Sequence, residues 1–275
     1  MIRAAVLGAD VSKSRSPAIH GAAFRALGVR GAYEARSVDA AGFDALVAEL
    51  RAAGYRYLNV TIPHKVAAAR LADTRGPEVR ASGAANTLLF SSGARVRTRA
   101  ENTDGVGLLR ALADLGVAAR GARVVMVGAG GAAAGALEAL TRSGAAVTVL
   151  ARRPAVARAF RRRLPARQQA RVVVRTLSPR ALTDALEDTT ALVSAVPAAA
   201  WDPAALAALR ALGRDTAVLE MAYGGLTPLG AAVRTHTKRY ADGLGMLVHQ
   251  AARAIELALG QQPPLPPLFR AARRG

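Results

Sequence analysis

No cysteine occurs among the 275 residues, so structural disulfides, thiolate metal sites, iron–sulfur clusters and thiol catalysis are all excluded. Aromatic residues are scarce at 4 %, which leaves aliphatic side chains and Ala to fill the core. No apolar run approaches the ~20 residues that a membrane span needs. The longest candidate, Ala191 to Trp201, is interrupted by Pro197. The first ten residues carry one Arg and a short apolar stretch before Asp10, a poor signal peptide, so a cytoplasmic location without a membrane partner is expected. Lysine is also rare: Lys13, Lys65 and Lys238 are the only three among 38 basic residues.

Apolar residues make up 52 % of the chain and charged ones 21 %, a globular composition with length for one large domain or two modest ones. The formal net charge of +19 raises the question of a polyanion partner. Arginine is scattered, however, apart from a dense stretch between Arg152 and Arg163. No aromatic-studded basic strand or recognition-helix pattern accompanies it, so nucleic acid is not the expected partner.

Short β-type runs alternate with helical stretches, the signature of an α/β protein with parallel sheets. The sequence predicts strands at Ile2–Leu7, Ala32–Ser37 and Tyr57–Val60, with helices at Pro17–Leu27 and Phe43–Ala53 between them. A hairpin is expected from Asn86–Phe90 and Arg95–Thr98. A helix from about Gly105 to Leu115 precedes the strand Arg123–Val127, a helix to Ser143 and the strand Ala146–Leu150, one βαβ unit. Further strand-like runs lie at Arg171–Val174, Ala191–Val196 and Ala217–Met221. A last helix spans about Leu244–Leu259, and the Pro-rich tail Pro263–Pro267 cannot continue it.

The strand Arg123–Val127 runs into Gly128-Ala129-Gly130-Gly131-Ala132-Ala133, a fit to G-x-G-x-x-A between strand and helix. Gly128 makes the tight turn, Gly130 lets backbone N–H groups approach a pyrophosphate, and the small Ala133 lets helix and strand pack closely. A glycine-rich turn without a ligand would read the same, but the βαβ context favours a dinucleotide site. An acidic residue at the end of the next strand would hold a ribose 2′-OH. Here that place reads Ala151-Arg152-Arg153, and two guanidiniums suit a 2′-phosphate. Solvated arginines in an arginine-rich chain remain the plainer reading of each.

Lys65 closes Asn59-Val60-Thr61-Ile62-Pro63-His64-Lys65 in a chain that otherwise uses Arg. A compact ammonium can give up a proton when desolvated, as an acid for a developing alkoxide must; a surface Lys at a helix start is the alternative. Asp104 is a partner for proton handling and equally a good N-cap.

These motifs, with Ser14-Arg15-Ser16-Pro17, Gly83-Ala84-Ala85-Asn86-Thr87, Asn102-Thr103-Asp104-Gly105 and the segment Ala241 to Gln250, occur in an order that resembles the shikimate dehydrogenase family across essentially the whole chain. The resemblance implies NADPH-dependent reduction of 3-dehydroshikimate to shikimate in aromatic amino-acid biosynthesis. It implies a substrate domain of residues 1–104 completed by 241–275, a Rossmann-type NADP-binding domain of 105–240, and an active site in the cleft between them. Lys65 and Asp104 match the catalytic pair. Ser14, Ser16, Thr61, Asn86 and Gln250 match the binders of substrate hydroxyls and carboxylate, and Tyr223 the substrate's edge. Gly128, Gly130, Gly131, Ala133, Arg152 and Arg153 fall on the cofactor side, with Gly243 near the nicotinamide. Gly243 and Gln250, seven residues apart, are expected to face one cleft across two helical turns.

Departures touch the cofactor side and the cleft rim. Ser194-Ala195-Val196 stands for the frequent Asn-Ala-Thr, Ala151-Arg152-Arg153 for Asn-Arg-Thr, and Tyr223-Gly224-Gly225 for Tyr-x-Pro, with one residue fewer before Thr227. Asp10 and Lys13 replace the usual Pro and His before the serine motif. His20, His64, His236 and His249 have no metal-ligand spacing, so no metal is expected, and Trp201 reads as packing. A quinate/shikimate or amino-shikimate paralogue and a non-catalytic NADP-binding regulator are the alternative functions; Ser16 favours shikimate, and intact Lys65 and Asp104 disfavour the regulator. A monomer or homodimer is expected.

Overall fold

The computed structural model of the chain, which describes residues 1–93 and 95–274, falls into two units, Met1–Gly107 with Leu247–Gly275 and Leu108–Met246. The first opens with β1 (Ile2–Gly8), α1 (Ser16–Ala26), β2 (Gly31–Ser37), α2 (Phe43–Ala52) and β3 (Tyr57–Val60). β1 pairs in parallel with both β2 and β3. There follow α3 (Lys65–Arg70), β4 (Thr74–Arg75), α4 (Pro77–Ser82), β5 (Thr87–Phe90), β6 (Thr98–Glu101) and α5 (Asp104–Asp114). The six strands lie in the order β2-β1-β3-β5-β6-β4, with β5 antiparallel to both neighbours. Aliphatic side chains and Ala dominate its core, around Leu7, Leu50, Leu58 and Leu88 with Phe43.

The hairpin is present, but its second strand is β6 rather than Arg95–Thr98. The register pairs Phe90 with Thr98 and Thr87 with Glu101. That choice buries Thr98 and Ala100 while Arg99 stays out, whereas Arg95, Val96 and Arg97 are all exposed. The loop closes instead through Ser91, whose N–H donates to Arg97 O and whose hydroxyl accepts from Arg97 N.

The second unit is built from β7 (Arg123–Val127), α6 (Gly131–Arg142), β8 (Ala146–Ala151), α7 (Pro154–Arg163), α8 (Ala166–Gln169), β9 (Val172–Thr176), α9 (Pro179–Leu186), β10 (Ala191–Ser194), α10 (Pro203–Ala208), β11 (Ala217–Glu220), α11 (Pro228–Val233) and β12 (Tyr240–Ala241). All pairs are parallel, in the order β12-β11-β10-β7-β8-β9. This is the doubly wound arrangement in which strand order reverses beside the first strand. β10 and β11 are buried at every residue, as parallel strands covered on both faces must be, hence three apolar residues in a row in each before Ser194 and Glu220.

The chain then runs through α12 (Leu244–Leu259) into the first unit. α12 stops at Leu259, where Gly260 follows at φ +71, before any proline is reached, and the Pro-rich tail is not structureless. It starts α13 (Leu265–Arg274), with Pro266 and Pro267 in the first turn, where a missing N–H is harmless and a fixed φ favours the helix. α13 lies against α1, and Arg15 Nη1 donates to Ala272 O at 2.6 Å. No helix among the described residues is long and apolar enough to cross a membrane.

His20 of α1 is fully buried, stacked on Tyr33 at 3.9 Å with its Nδ1 2.6 Å from Tyr57 OH, while Nε2 has no hydrogen-bond partner among the described residues. Burial pushes the imidazole down to about 3. The folded state therefore resists a proton that the unfolded chain accepts below its ordinary value of 6.5. Its share of stability is full above pH 6.5 and is lost as pH falls towards 3, with a slope approaching about 1.4 kcal/mol per pH unit. Urea unfolding of the wild type and His20→Gln between pH 7 and 4 is expected to show a shallower pH dependence in the variant.

Candidate active site

β3, β5 and β6 are neighbours, and their register aligns Asn59 with Thr87 and Thr87 with Glu101. Because β5 runs against the other two, the C-terminal ends of β3 and β6 meet the N-terminal end of β5 at one sheet edge. Lys65 follows β3, Asn86 precedes β5 and Asp104 follows β6. Residues far apart in sequence thus converge through strand pairing alone.

Lys65 Nζ lies 2.6 Å from Asp104 Oδ2, and both side chains are at least nine-tenths buried. Lys65 is therefore no surface residue at a helix start. Asp104 does open α5, but its carboxylate is directed to side chains instead of capping: Oδ2 takes Lys65 and Oδ1 accepts from Asn86 Nδ2 at 2.9 Å. The Asn86 amide has one workable orientation. Its Oδ1 accepts from the Thr103 N–H at 2.9 Å and the Thr87 hydroxyl at 3.0 Å, so its NH2 must face Asp104, Thr103 Oγ1 and Gln250 Oε1. Gln250, on α12, is held in turn by donation to Leu247 O.

A directional chain of donors stands behind this group. Tyr33 OH donates to Asn59 Oδ1 at 2.8 Å, Asn59 Nδ2 to Thr87 Oγ1 at 3.0 Å, and Thr87 to Asn86. Asn102 Oδ1 accepts from the Asp104 N–H, and its amide donates to Ala84 O. Sequence reasoning gave Asn59, Thr87, Asn102 and Thr103 no role, although all four sit inside the motifs it singled out. Their signal was polar side chains at positions that are buried here.

The other substrate-side residues stand apart from this network. Ser16 is buried at the start of α1, and Ser14 Oγ accepts from its N–H at 3.3 Å, a helix-start contact. Thr61 lies against Gly8, where a Cβ would approach its methyl group to 2.5 Å. Among the described residues no hydrogen bond joins Ser14, Ser16 or Thr61 to Lys65 or Asp104. Of the histidines, His64 stacks on Phe43 at 4.5 Å and His249 meets Phe269 edge-on.

In the second unit, β7 is followed by Gly128 at φ +118, and a Cβ there would press on Ala195 O at 2.9 Å. The Ser194-Ala195-Val196 departure is thus the wall of this turn. Trp201 packs in the core and donates its indole N–H to Ser194 Oγ. A Cβ at Gly130 would point into open space, and no side chain caps α6, which begins at Gly131. Ala133 is buried in the first turn of α6. A glycine cradle at an uncapped helix N-terminus fits a pyrophosphate. Arg152 and Arg153 follow β8, both exposed, with no carboxylate partner among the described residues; they fit a 2′-phosphate.

Gly243 immediately precedes α12, the helix that carries Gln250 seven residues on. Its N–H donates to Ala222 O, and a Cβ would overlap the Met221 carbonyl. Tyr223 lies in the loop after β11. β11 itself ends in Glu220, a fully buried carboxylate that sequence reasoning missed. Its Oε2 accepts from Thr227 Oγ1 at 2.5 Å and Tyr240 OH at 3.1 Å. Burial, with Glu220 beside it, pushes the Tyr240 phenol up to about 12. A lone acid ending an apolar strand was the available signal.

Residues 6–88 match the family model of the shikimate dehydrogenase substrate binding domain, and residues 115–219 that of a putative NAD(P)-binding domain. The NADP(+)-dependent shikimate dehydrogenase of Aromatoleum aromaticum is 39 % identical over 281 residues, 99 % of this chain and 97 % of the relative. The solved shikimate dehydrogenase of Mycobacterium tuberculosis is 33 % identical with a TM-score of 0.83, covering 100 % of this chain and 99 % of the other. Shikimate 5-dehydrogenase from Thermus thermophilus, solved with NADP(H) and shikimate, is 31 % identical with a TM-score of 0.82 over 100 % and 99 %.

Asn86 donates to a buried charge and Gln250 only to a neutral acceptor, so their loss should differ. Asn86→Ala is expected to lower the unfolding free energy by about 1.5–3 kcal/mol and Gln250→Ala by about 1 kcal/mol or less, read from urea denaturation. Equal effects would contradict the hydrogen-bond assignment.

Proposed function

Since the chain belongs to the shikimate dehydrogenase family, we propose that it catalyses the reversible, NADP-dependent reduction of 3-dehydroshikimate to shikimate. The single observation that carries the reading is the buried Lys65–Asp104 pair with Asn86 behind it. Bound NADPH supplies the hydride. The residues of this chain do the rest.

As the carbonyl carbon gains hydride, its oxygen becomes an alkoxide and needs a proton. Lys65 donates one from Nζ in reduction and takes it back in oxidation. Asp104 holds that ammonium in place and accepts from the reacting hydroxyl, and Asn86 keeps Oδ1 from rotating away. Ser14, Ser16, Thr61 and Gln250 bind the ring hydroxyls and carboxylate, with Tyr223 at the substrate's edge. A small polyol acid needs such short polar groups more than apolar ones. Gly128, Gly130, Gly131 and Ala133 receive the pyrophosphate, Gly243 lies by the nicotinamide, and Arg152 with Arg153 selects the 2′-phosphate. The setting proposed is the cytoplasm.

An absorbance assay at the nicotinamide band, with shikimate and quinate each against NADP and NAD, tests the reading. Shikimate with NADP is expected to be the best pair. Lys65→Met should lower kcat by about two to four orders of magnitude with a much smaller change in shikimate KM. A loss confined to KM would reduce Lys65 to substrate binding, and a best rate with quinate would move the chain to the paralogous activity.

A further inference from the structure

Residues 139–183 contain eleven of the chain's 35 arginines (38 basic residues less three lysines) and none of its 19 acidic residues. A composition bias alone would leave carboxylates interspersed, as they are elsewhere. The stretch is also one region of the fold: β8, α7, α8 and β9, with β9 at the edge of the sheet. Helix α7 buries only Ala157. Arg152, Arg153, Arg158, Arg162, Arg167 and Arg175 are all exposed, and none has an ion-pair or side-chain hydrogen-bond partner among the described residues.

We propose that this acid-free arginine face captures the anionic cofactor at long range and delivers it to the 2′-phosphate end of its site, setting the association rate of NADPH. The inference rests on the NADP reading above. Arg152 and Arg153 would contact the ligand; Arg158, Arg162 and Arg167 act through the field alone. The 2′-phosphate carries close to two negative charges, and the pyrophosphate adds more. A surface of one sign raises the on-rate of an opposite charge by roughly 10- to 1,000-fold, an effect that falls steeply with salt. The screening length is about 30 Å at 0.01 M salt and about 10 Å at 0.1 M, so residues several turns from the contact still act in dilute buffer.

The test is stopped-flow binding of NADPH to the full chain, read by nicotinamide fluorescence, in the wild type, Arg158→Glu/Arg162→Glu/Arg167→Glu and the matching triple Gln variant. At about 10 mM salt the association rate should fall roughly tenfold in the Glu variant and by about threefold, half as much on a logarithmic scale, in the Gln variant. Both losses should vanish near 0.5 M salt. The dissociation rate and kcat at saturating cofactor should not change, and NADH, with less charge, should lose less. An unchanged association rate at low salt overturns the proposal. So does a loss that persists at high salt or appears in dissociation. Salt-sensitive binding of duplex DNA that the Glu variant abolishes, with NADPH association intact, also overturns it and gives the face to nucleic acid. If the wild-type chain binds no NADPH, the cofactor reading itself fails, a result distinct from all of these.

Discussion

The first unit is organised around a charge pair that water cannot reach freely. Desolvating an ammonium and a carboxylate is expensive, and their attraction compensates only when geometry is good and remaining lone pairs are met. Here both conditions hold. Asp104 is met on one oxygen by Lys65 and on the other by Asn86, and its backbone N–H by Asn102. Removing any one member leaves a buried charge or dipole without its partner. The donor chain from Tyr33 through Asn59 and Thr87 belongs to the same constraint, because it fixes which face of the Asn86 amide meets the carboxylate.

Strand pairing makes this arrangement possible. A purely parallel sheet would place the start of β5 at the opposite end from the ends of β3 and β6. The antiparallel insertion of β5 brings Asn86 to the edge where Lys65 and Asp104 already stand. The second unit keeps the uniform parallel order, and its glycine turn lies at the reversal point of the sheet. The mixed sheet of one unit and the parallel sheet of the other thus serve different chemistry: fixed polar side chains in the first, backbone N–H groups in the second.

Much of this was legible in the sequence because periodicity and punctuation are local. β7 and α12 fall at their predicted bounds, and Lys65 stood out in a chain that otherwise spends arginine. What was illegible depends on tertiary register. Arg95–Thr98 has strand-like composition, yet pairing with β5 selects Thr98–Glu101 because only that register buries Thr98 and Ala100. The Pro-rich tail reads as a stop, and the same prolines start α13 once α1 offers a surface for Leu268 and Ala272. Gly243 lies one residue before α12, as read from the sequence, but its close approach to Met221 and its N–H bond to Ala222 O join segments that no local pattern links. Asn59, Thr87 and Thr103 are ordinary polar residues until strand alignment stacks them behind Asn86, and Glu220 gains meaning only from Thr227 and Tyr240 folding onto it.

The central claim is that Lys65 and Asp104 handle one proton as a unit. A double-mutant cycle on kcat, with Lys65→Met, Asp104→Asn and the double variant assayed with shikimate and NADP, measures it most directly. If the pair acts together, the double variant is about as slow as the slower single variant, since either change already removes the unit. Losses that multiply, each side chain contributing independently of the other, would contradict the account.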